Sequence, residues 1–271
     1  MSFKSIIVHL AEDIRNAARI EAARLLGAQA HVIGLYTIVP MPIPAYGIAE
    51  IPPQIFDDYE QNAVAAAKAA KAQFDDAMRR DGISAEWREE RGFPLDVLRD
   101  HSLYADLVIV GQPSDSGANH VPGTEGLPGD LAIASGRPVL AIPHSGKFGS
   151  IGKTVMVAWN GSREAARAVA DALPILAKAK KVYVVGANLR SSVPALDISA
   201  HLARHDIKVE TKAIHAEDTT VAATLLNKAA EVGADLIVMG AYGHSRFNEF
   251  VFGGVTRHLL GHMTVPTLFS H

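Results

Sequence analysis

A set of glycines near the C-terminal end of the chain is spaced to hold a phosphate. Gly240-Ala241-Tyr242-Gly243 follows the apolar run Ala234–Met239, and Gly253-Gly254-Val255-Thr256 follows after nine intervening residues. An amphipathic stretch then opens with Arg257, His258, Leu259 and Leu260. The order reads as strand, glycine loop, helix start. Glycine lets a ligand approach the backbone, and the first turn of a helix offers unpaired N–H groups at its positive end. Phosphate capture is the chemistry such a loop suits. The competing reading is a tight turn that only packs a helix on a strand.

Other chemistry-bearing residues are weaker signals. His201 and His205 stand four apart on an expected helix, as do His258 and His262. That spacing can bind zinc. No Glu follows the first His as in metalloprotease helices, and Arg204 repels a cation, so both pairs are expected on solvated faces and no metal site is expected. His258 and Arg246 are secondary candidates for phosphate contact. No Lys-Ser or Lys-Thr closes the glycine loop as in a P-loop. Glu249 is the acidic residue nearest the loop in sequence, and no catalytic constellation surrounds it. The expectation is a binding protein, with slow ATP hydrolysis at most.

Composition narrows the setting. The chain has 271 residues, 48% hydrophobic and 20% charged, with a net charge of −3 and no cysteine. This excludes disulfides, thiol catalysis and a basic field for nucleic acid. No apolar run approaches the ~20 residues that cross a bilayer, and Met1-Ser2-Phe3-Lys4 leads into a strand rather than a signal peptide. A cytoplasmic location is expected.

The elements that must position the glycines come in two copies. Ala105-Asp106-Leu107-Val108-Ile109-Val110-Gly111 matches Ala234-Asp235-Leu236-Ile237-Val238-Met239-Gly240 at an offset of 129 residues. Arg137-Pro138-Val139-Leu140 matches Val265-Pro266-Thr267-Leu268, and Ile6-Ile7-Val8 matches Val155-Met156-Val157. The order is collinear, which indicates a tandem duplication. The first copy spans 1–145, the second 152–271, and 143–152 reads as the linker. The first copy carries extra length around residues 40–53, whose five prolines mark a loop. Apolar residues across 40–56, among them Met41, Ile43, Tyr46, Ile48, Ile51, Ile55 and Phe56, offer a surface for an unidentified protein partner. The alanine-rich stretch 63–73 reads as an ordinary surface helix.

Strands are expected near 5–10, 31–37, 83–90, 106–111 and 138–142, then near 154–159, 181–187, 207–214, 235–240 and 266–269. Helices are expected near 13–27, 57–81 and 94–104, then near 162–179, 194–205, 218–232 and 254–262. Alternating strands and helices give an α/β fold of two tandem, doubly wound, five-stranded parallel sheets. Ligands of such sheets sit beyond the carboxyl ends of the strands where the winding reverses. In the second copy those ends are Trp159-Asn160-Gly161-Ser162 and Gly240-Ala241-Tyr242-Gly243, and Ser162 reads as a helix N-cap.

With these residues in place, the chain resembles a tandem universal stress protein over nearly its whole length. The ATP-binding members carry G-x2-G-x9-G-[S/T] after the fourth strand, and Gly240, Gly243 and Gly253 fall on its glycines. The resemblance implies a Rossmann-like sheet of the adenine nucleotide α-hydrolase type and a regulatory or sensor role in the stress response. Its cofactor would be ATP or AMP, with magnesium as an optional companion. Gly240, Gly243, Gly253, Gly254 and Val255 would supply backbone contacts. Asn160 would meet the ribose, and Ala158, Trp159, Ala187 and Met239 would border the base. A second copy of the chain is a further candidate partner, with closing strands such as Val265–Phe269 as the edge to test.

Two departures weaken the match. Gly254 stands where the family has a phosphate-binding hydroxyl, a bond worth roughly 1.5–3 kcal/mol, or ~10–100-fold in affinity. Thr256, two residues on, is the candidate replacement. Asn160 stands where ATP-binding members place an Asp. The first copy departs further, with Gly111-Gln112-Pro113-Ser114 in place of G-x2-G, Glu125 and Asp130 opposing phosphate, and Ala11 where the second copy has Asn160. It reads as a half that keeps the fold and has lost the nucleotide. The alternative reading of the whole protein is a stress-linked interaction module that binds no nucleotide and recognises its partner through the 40–56 loop.

Overall fold

Strands that are apolar at nearly every position, not at every second one, must be covered on both faces. The computed structural model describes residues 2–41, 52–113, 121–187, 195–214, 221–242 and 254–271. In it the apolar runs form β1 (Ser5–Leu10), β4 (Leu107–Gly111) and β5 (Val139–Ile142), and again β6 (Thr154–Trp159), β9 (Leu236–Gly240) and β10 (Thr267–Ser270). Outside them lie β2 (His31–Ile38) and β3 (Ala85–Arg91) on one side, β7 (Lys181–Ala187) and β8 (Val209–Ile214) on the other. The order across the sheet is β3-β2-β1-β4-β5-β10-β9-β6-β7-β8, so the two halves are wound alike.

The two expected five-stranded parallel sheets are present, and they are joined edge to edge. The halves share a single ten-stranded sheet, joined where β5 and β10 run antiparallel, with Val139 opposite Phe269, Leu140 opposite Leu268 and Ala141 opposite Thr267. Both closing strands are buried along their length. An unpaired edge there would present apolar backbone to water, and each strand covers the other. β10 is also paired with β9, so this closing strand has no free edge for a second chain. The outer strands, Ala-Glu-Trp-Arg-Glu-Glu-Arg and Val-Glu-Thr-Lys-Ala-Ile, carry charges that discourage strand addition.

The helices among the described residues are α1 (Asn16–Leu26), α2 (Pro53–Arg80), α3 (Pro94–Ser102), α4 (Leu127–Ser135), α5 (Arg163–Leu176), α6 (Ala195–Ala203), α7 (Val221–Glu231) and α8 (Val255–His262). One face of the sheet, with Ile6, Val8 and Leu10, packs on α1, α2, α5 and α6. The opposite face, with Ile7, packs on α3, α4, α7 and α8. Two helices correct the sequence reading. α4 was not expected, because Leu127-Pro128-Gly129-Asp130 looks like a turn. Proline is tolerated in a first helical turn, whose N–H has no partner in any case. α2 begins at Pro53, so the end of the 40–56 segment is helical; residues 42–51 lie outside the described set.

The aspartates of the repeated Ala-Asp-Leu motif do the same work in each half. Asp106 accepts the backbone N–H groups of Lys4 and Ser5 at 2.7 and 3.1 Å. Asp235 accepts those of Gly152, Lys153 and Thr154 at 3.0, 3.1 and 3.0 Å, and the Ser150 hydroxyl at 2.6 Å. Each carboxylate fixes the start of the strand beside it, β1 or β6.

Candidate functional site

The winding reverses between β6 and β9 in the second half, where Ala158 lies opposite Met239. Trp159 ends β6, and its buried indole N–H has no partner among the described residues. Ala187 ends β7 beside it. Asn160 accepts the Ser162 N–H at 3.1 Å, and Ser162 caps α5 by accepting from the Ala165 N–H at 3.1 Å. The expected N-cap is therefore in place.

Gly240 explains part of the glycine pattern in packing terms. A Cβ there would come within 2.6 Å of the Ala165 nitrogen and the Glu164 carbonyl carbon, so only glycine lets β9 lie this close to the first turn of α5. Beyond it the chain turns sharply. Tyr242 has φ of 53°, a left-handed conformation uncommon outside glycine. Its N–H is held by the Thr256 hydroxyl oxygen at 3.3 Å, and Thr256 is only 2% exposed. Gly254, which has no side chain to offer as a cap, precedes α8. Gly243 and Gly253, together with His244, Arg246 and Glu249, lie outside the described residues.

Glu164 adds a charge beside Gly240. Burial pushes its carboxyl up, but hydrogen bonds from its own backbone and Ser162, with the Arg163 guanidinium at 3.0 Å, outweigh this and hold it below the usual carboxylate range. It is ionised at neutral pH.

The corresponding crevice of the first half lies between the ends of β1 and β4, and it is filled. Arg19, only 3% exposed, projects from α1 and donates to Asp13 at 2.6 Å and to Asn16 at 2.6 Å. Its guanidinium lies against Gly111, the counterpart of Gly240, where a Cβ would come within 2.5 Å of Nη1. Asn16 closes the β1–α1 loop by donating to the Ala11 carbonyl at 2.7 Å and accepting its N–H at 3.3 Å. His9, bonded to Thr37 at 2.8 Å, lies beneath. Burial, reinforced by the Arg19 charge, pushes its pKa from 6.5 down to about 3, so the ring is neutral. What remains among His9, Asp13, Arg19, Gln112 and Thr124 is a cavity of about 10 Å³, the size of one water.

Sequence reasoning missed this Arg19 cluster. Its signal was present: the buried residues of α1 are Asn16, Arg19, Ile20, Ala22 and Ala23, so two polar residues occupy an apolar stripe. Both histidine pairs form ring contacts, 4.3 Å between His258 and His262 on α8 and 5.0 Å between His201 and His205, although α6 ends at Ala203 and leaves His205 in the turn beyond it. Among the described residues no group of three or more His, Asp or Glu could hold a metal ion. No described helix is long and apolar enough to cross a membrane.

Comparison with known proteins bears first on the second half. Residues 152–271 match the model of the universal stress protein family. This half is a universal stress protein domain. The chain is 28% identical over 216 residues to universal stress protein Slr1230 from Synechocystis sp. (strain ATCC 27184 / PCC 6803 / Kazusa), a match covering 74% of this chain and 71% of that protein. A universal stress protein from Archaeoglobus fulgidus DSM 4304 superposes with a TM-score of 0.71 at 17% identity, covering 97% of this chain and 95% of its own. A functionally unknown protein from Pseudomonas aeruginosa PAO1 gives a TM-score of 0.60 at 14% identity, covering 99% and 92%. At these identities the two structures speak for the fold, and both span the whole two-half arrangement.

Proposed function

We propose that this universal stress protein binds an adenine nucleotide, ATP or AMP, in the cleft between β6 and β9, and that the nucleotide-dependent state of this half serves a sensor or regulator of the stress response. The observation that carries the reading is that the glycine-led start of α8 is tied to the end of β9 by the Thr256–Tyr242 hydrogen bond, while the same crevice of the first half is filled by Arg19. Backbone N–H groups of Gly240, Gly243, Gly253, Gly254 and Val255 would hold phosphate. Thr256 accepts from Tyr242 and keeps its own hydroxyl proton for an acceptor. Asn160 has its oxygen engaged with Ser162, which leaves its amide N–H groups for a ribose hydroxyl. Ala158 and Met239, on the face covered by α7 and α8, would border the base with Ala187, whereas Trp159 packs on the opposite face of the sheet and does not join them. Any magnesium would ride on the phosphates, and any hydrolysis is slow. The first half, 1–145, contributes fold and no nucleotide; the second, 152–271, carries the site in a cytoplasmic protein.

A second reading, a protein-recognition module that includes the 40–56 segment, is favoured by the exposure of Ile14, Ile55 and Phe93 in the first half.

Thermal melting with and without nucleotide separates the two. A ligand that binds only the folded state adds ~2.7 kcal/mol at a hundredfold excess over its dissociation constant. Gly254→Asp places a good N-cap at α8 and a carboxylate where phosphate would sit, so the fold should hold and the nucleotide shift disappear. No shift in the natural protein at millimolar ATP or AMP would refute nucleotide binding.

A further inference from the structure

Tyr242 belongs to the second half, but its ring leaves it. The phenol lies over Gly129 of α4, in the first half, so close that a Cβ on Gly129 would come within 2.5 Å of its hydroxyl and 2.7 Å of a ring carbon. Its backbone is in the left-handed region at φ 53°, which a non-glycine residue keeps only when its surroundings hold it. The holds are visible on both sides. The N–H is bound by Thr256 at the start of α8, and the ring packs with the cluster that includes α4 and α8.

The first half also grips the other end of α8. Gln112, just beyond β4, donates its amide to the Leu260 carbonyl at 2.7 Å, and its oxygen accepts the His144 N–H at 2.8 Å. The residues following Gly111 and Gly240 thus each reach across the junction to the last helix of the other half. The helix whose first turn would hold phosphate is fixed at its start through Tyr242 to α4 and near its end by Gln112.

We infer that Tyr242 is a positioning residue, and that Gly129 of the first half sets the backbone conformation at Tyr242, between β9 and α8 of the second. The half without a nucleotide is then part of the binding apparatus of the other. The consequence for affinity rests on the nucleotide reading above; the mechanical link does not. By linkage, nucleotide in the second cleft would steady α4 in the first.

Gly129→Ala tests it from outside the cleft. Gly129 sits inside α4 with no positive φ, where alanine favours the helix, so the substitution does not threaten the fold on backbone grounds. Its methyl group must displace the Tyr242 ring. Amide exchange is followed at residue 242 in the ligand-free protein, and ATP and AMP affinity by calorimetry. Gly129→Ala should speed exchange at residue 242 and weaken nucleotide binding, each by about fivefold or more, the lower range of ordinary site coupling. In a Tyr242→Ala background the same substitution should change neither, which separates positioning from a general loss of stability. Unchanged exchange at Tyr242 in Gly129→Ala overturns the link, whatever nucleotide does. Faster exchange in a protein that binds no nucleotide upholds the link and removes only the nucleotide reading.

Discussion

The two crevices of this protein are built on the same strand ends and are finished in opposite ways. In the first, a helix side chain folds back into the crevice: Arg19 meets Asp13, Asn16 and the face of Gly111. In the second, the helix backbone itself comes close, with Ala165 and Glu164 against Gly240. The difference shows how a crevice between strand ends can be closed. Losing donors is not enough, because a polar crevice left empty still needs partners. Here the partner is an internal guanidinium with its own counter-ion.

The largest test of this contrast is Arg19→Ala. It leaves Asp13 in a crevice without its partner, and breaking a buried ion pair in this way costs about 3–5 kcal/mol. Urea unfolding should show that loss, and Asp13→Ala added to it should recover a large part. A loss below ~1 kcal/mol would place the pair among ordinary surface bridges.

His9 gives the first crevice a pH signature. Its pKa is 6.5 in a free chain and about 3 in the fold, so between these values the unfolded chain binds a proton that the folded chain refuses. Stability should therefore fall as pH drops below 6.5, by roughly 3 kcal/mol on reaching pH 4 from this group alone. Denaturant titrations from pH 7 to 4 should show that slope, and it should be absent in His9→Gln.

The matched glycines come next. Alanine at Gly240 meets the backbone of α5, which cannot rotate away, whereas alanine at Gly111 meets the end of the Arg19 side chain. Both substitutions overpack, at about 1–3 kcal/mol, with Gly240→Ala the more costly. Equal losses would show that Arg19 is held as rigidly as a helix backbone. The smallest effect is Ser162→Ala, which removes the α5 cap for about 1 kcal/mol, read as a drop in melting temperature. α1 has no side-chain cap to lose.

Much of the fold was legible because burial on both faces leaves a plain mark. Runs such as Leu107–Val110 and Leu236–Met239 cannot lie at a surface, and all ten strands fall within two residues of their expected places. α4 was illegible because its first turn uses Pro128 and Gly129, residues that signal a turn unless the free N–H groups of a helix start are considered. The joining of the sheets was illegible because strand patterns report burial, not which neighbour provides it. At the candidate site, glycine spacing and the Ser162 cap could be read directly. The close approach of Gly240 to α5, the Tyr242 conformation and the Arg19 cluster depend on distances between elements far apart in sequence.

The junction of β5 and β10 has a further consequence. Leu140 and Leu268 face each other and are counterparts in the two repeats, so a local twofold axis passes between them. Two separate half-length chains could meet through the same strands, but a dimer of identical subunits must carry every substitution twice. Covalent connection through residues 143–153 makes the encounter intramolecular, at an effective concentration in the millimolar range for short linkers. It also frees the two crevices from symmetry. One could acquire Arg19 while the other kept its glycines, and a paired assembly with two equal sites could become a chain with one.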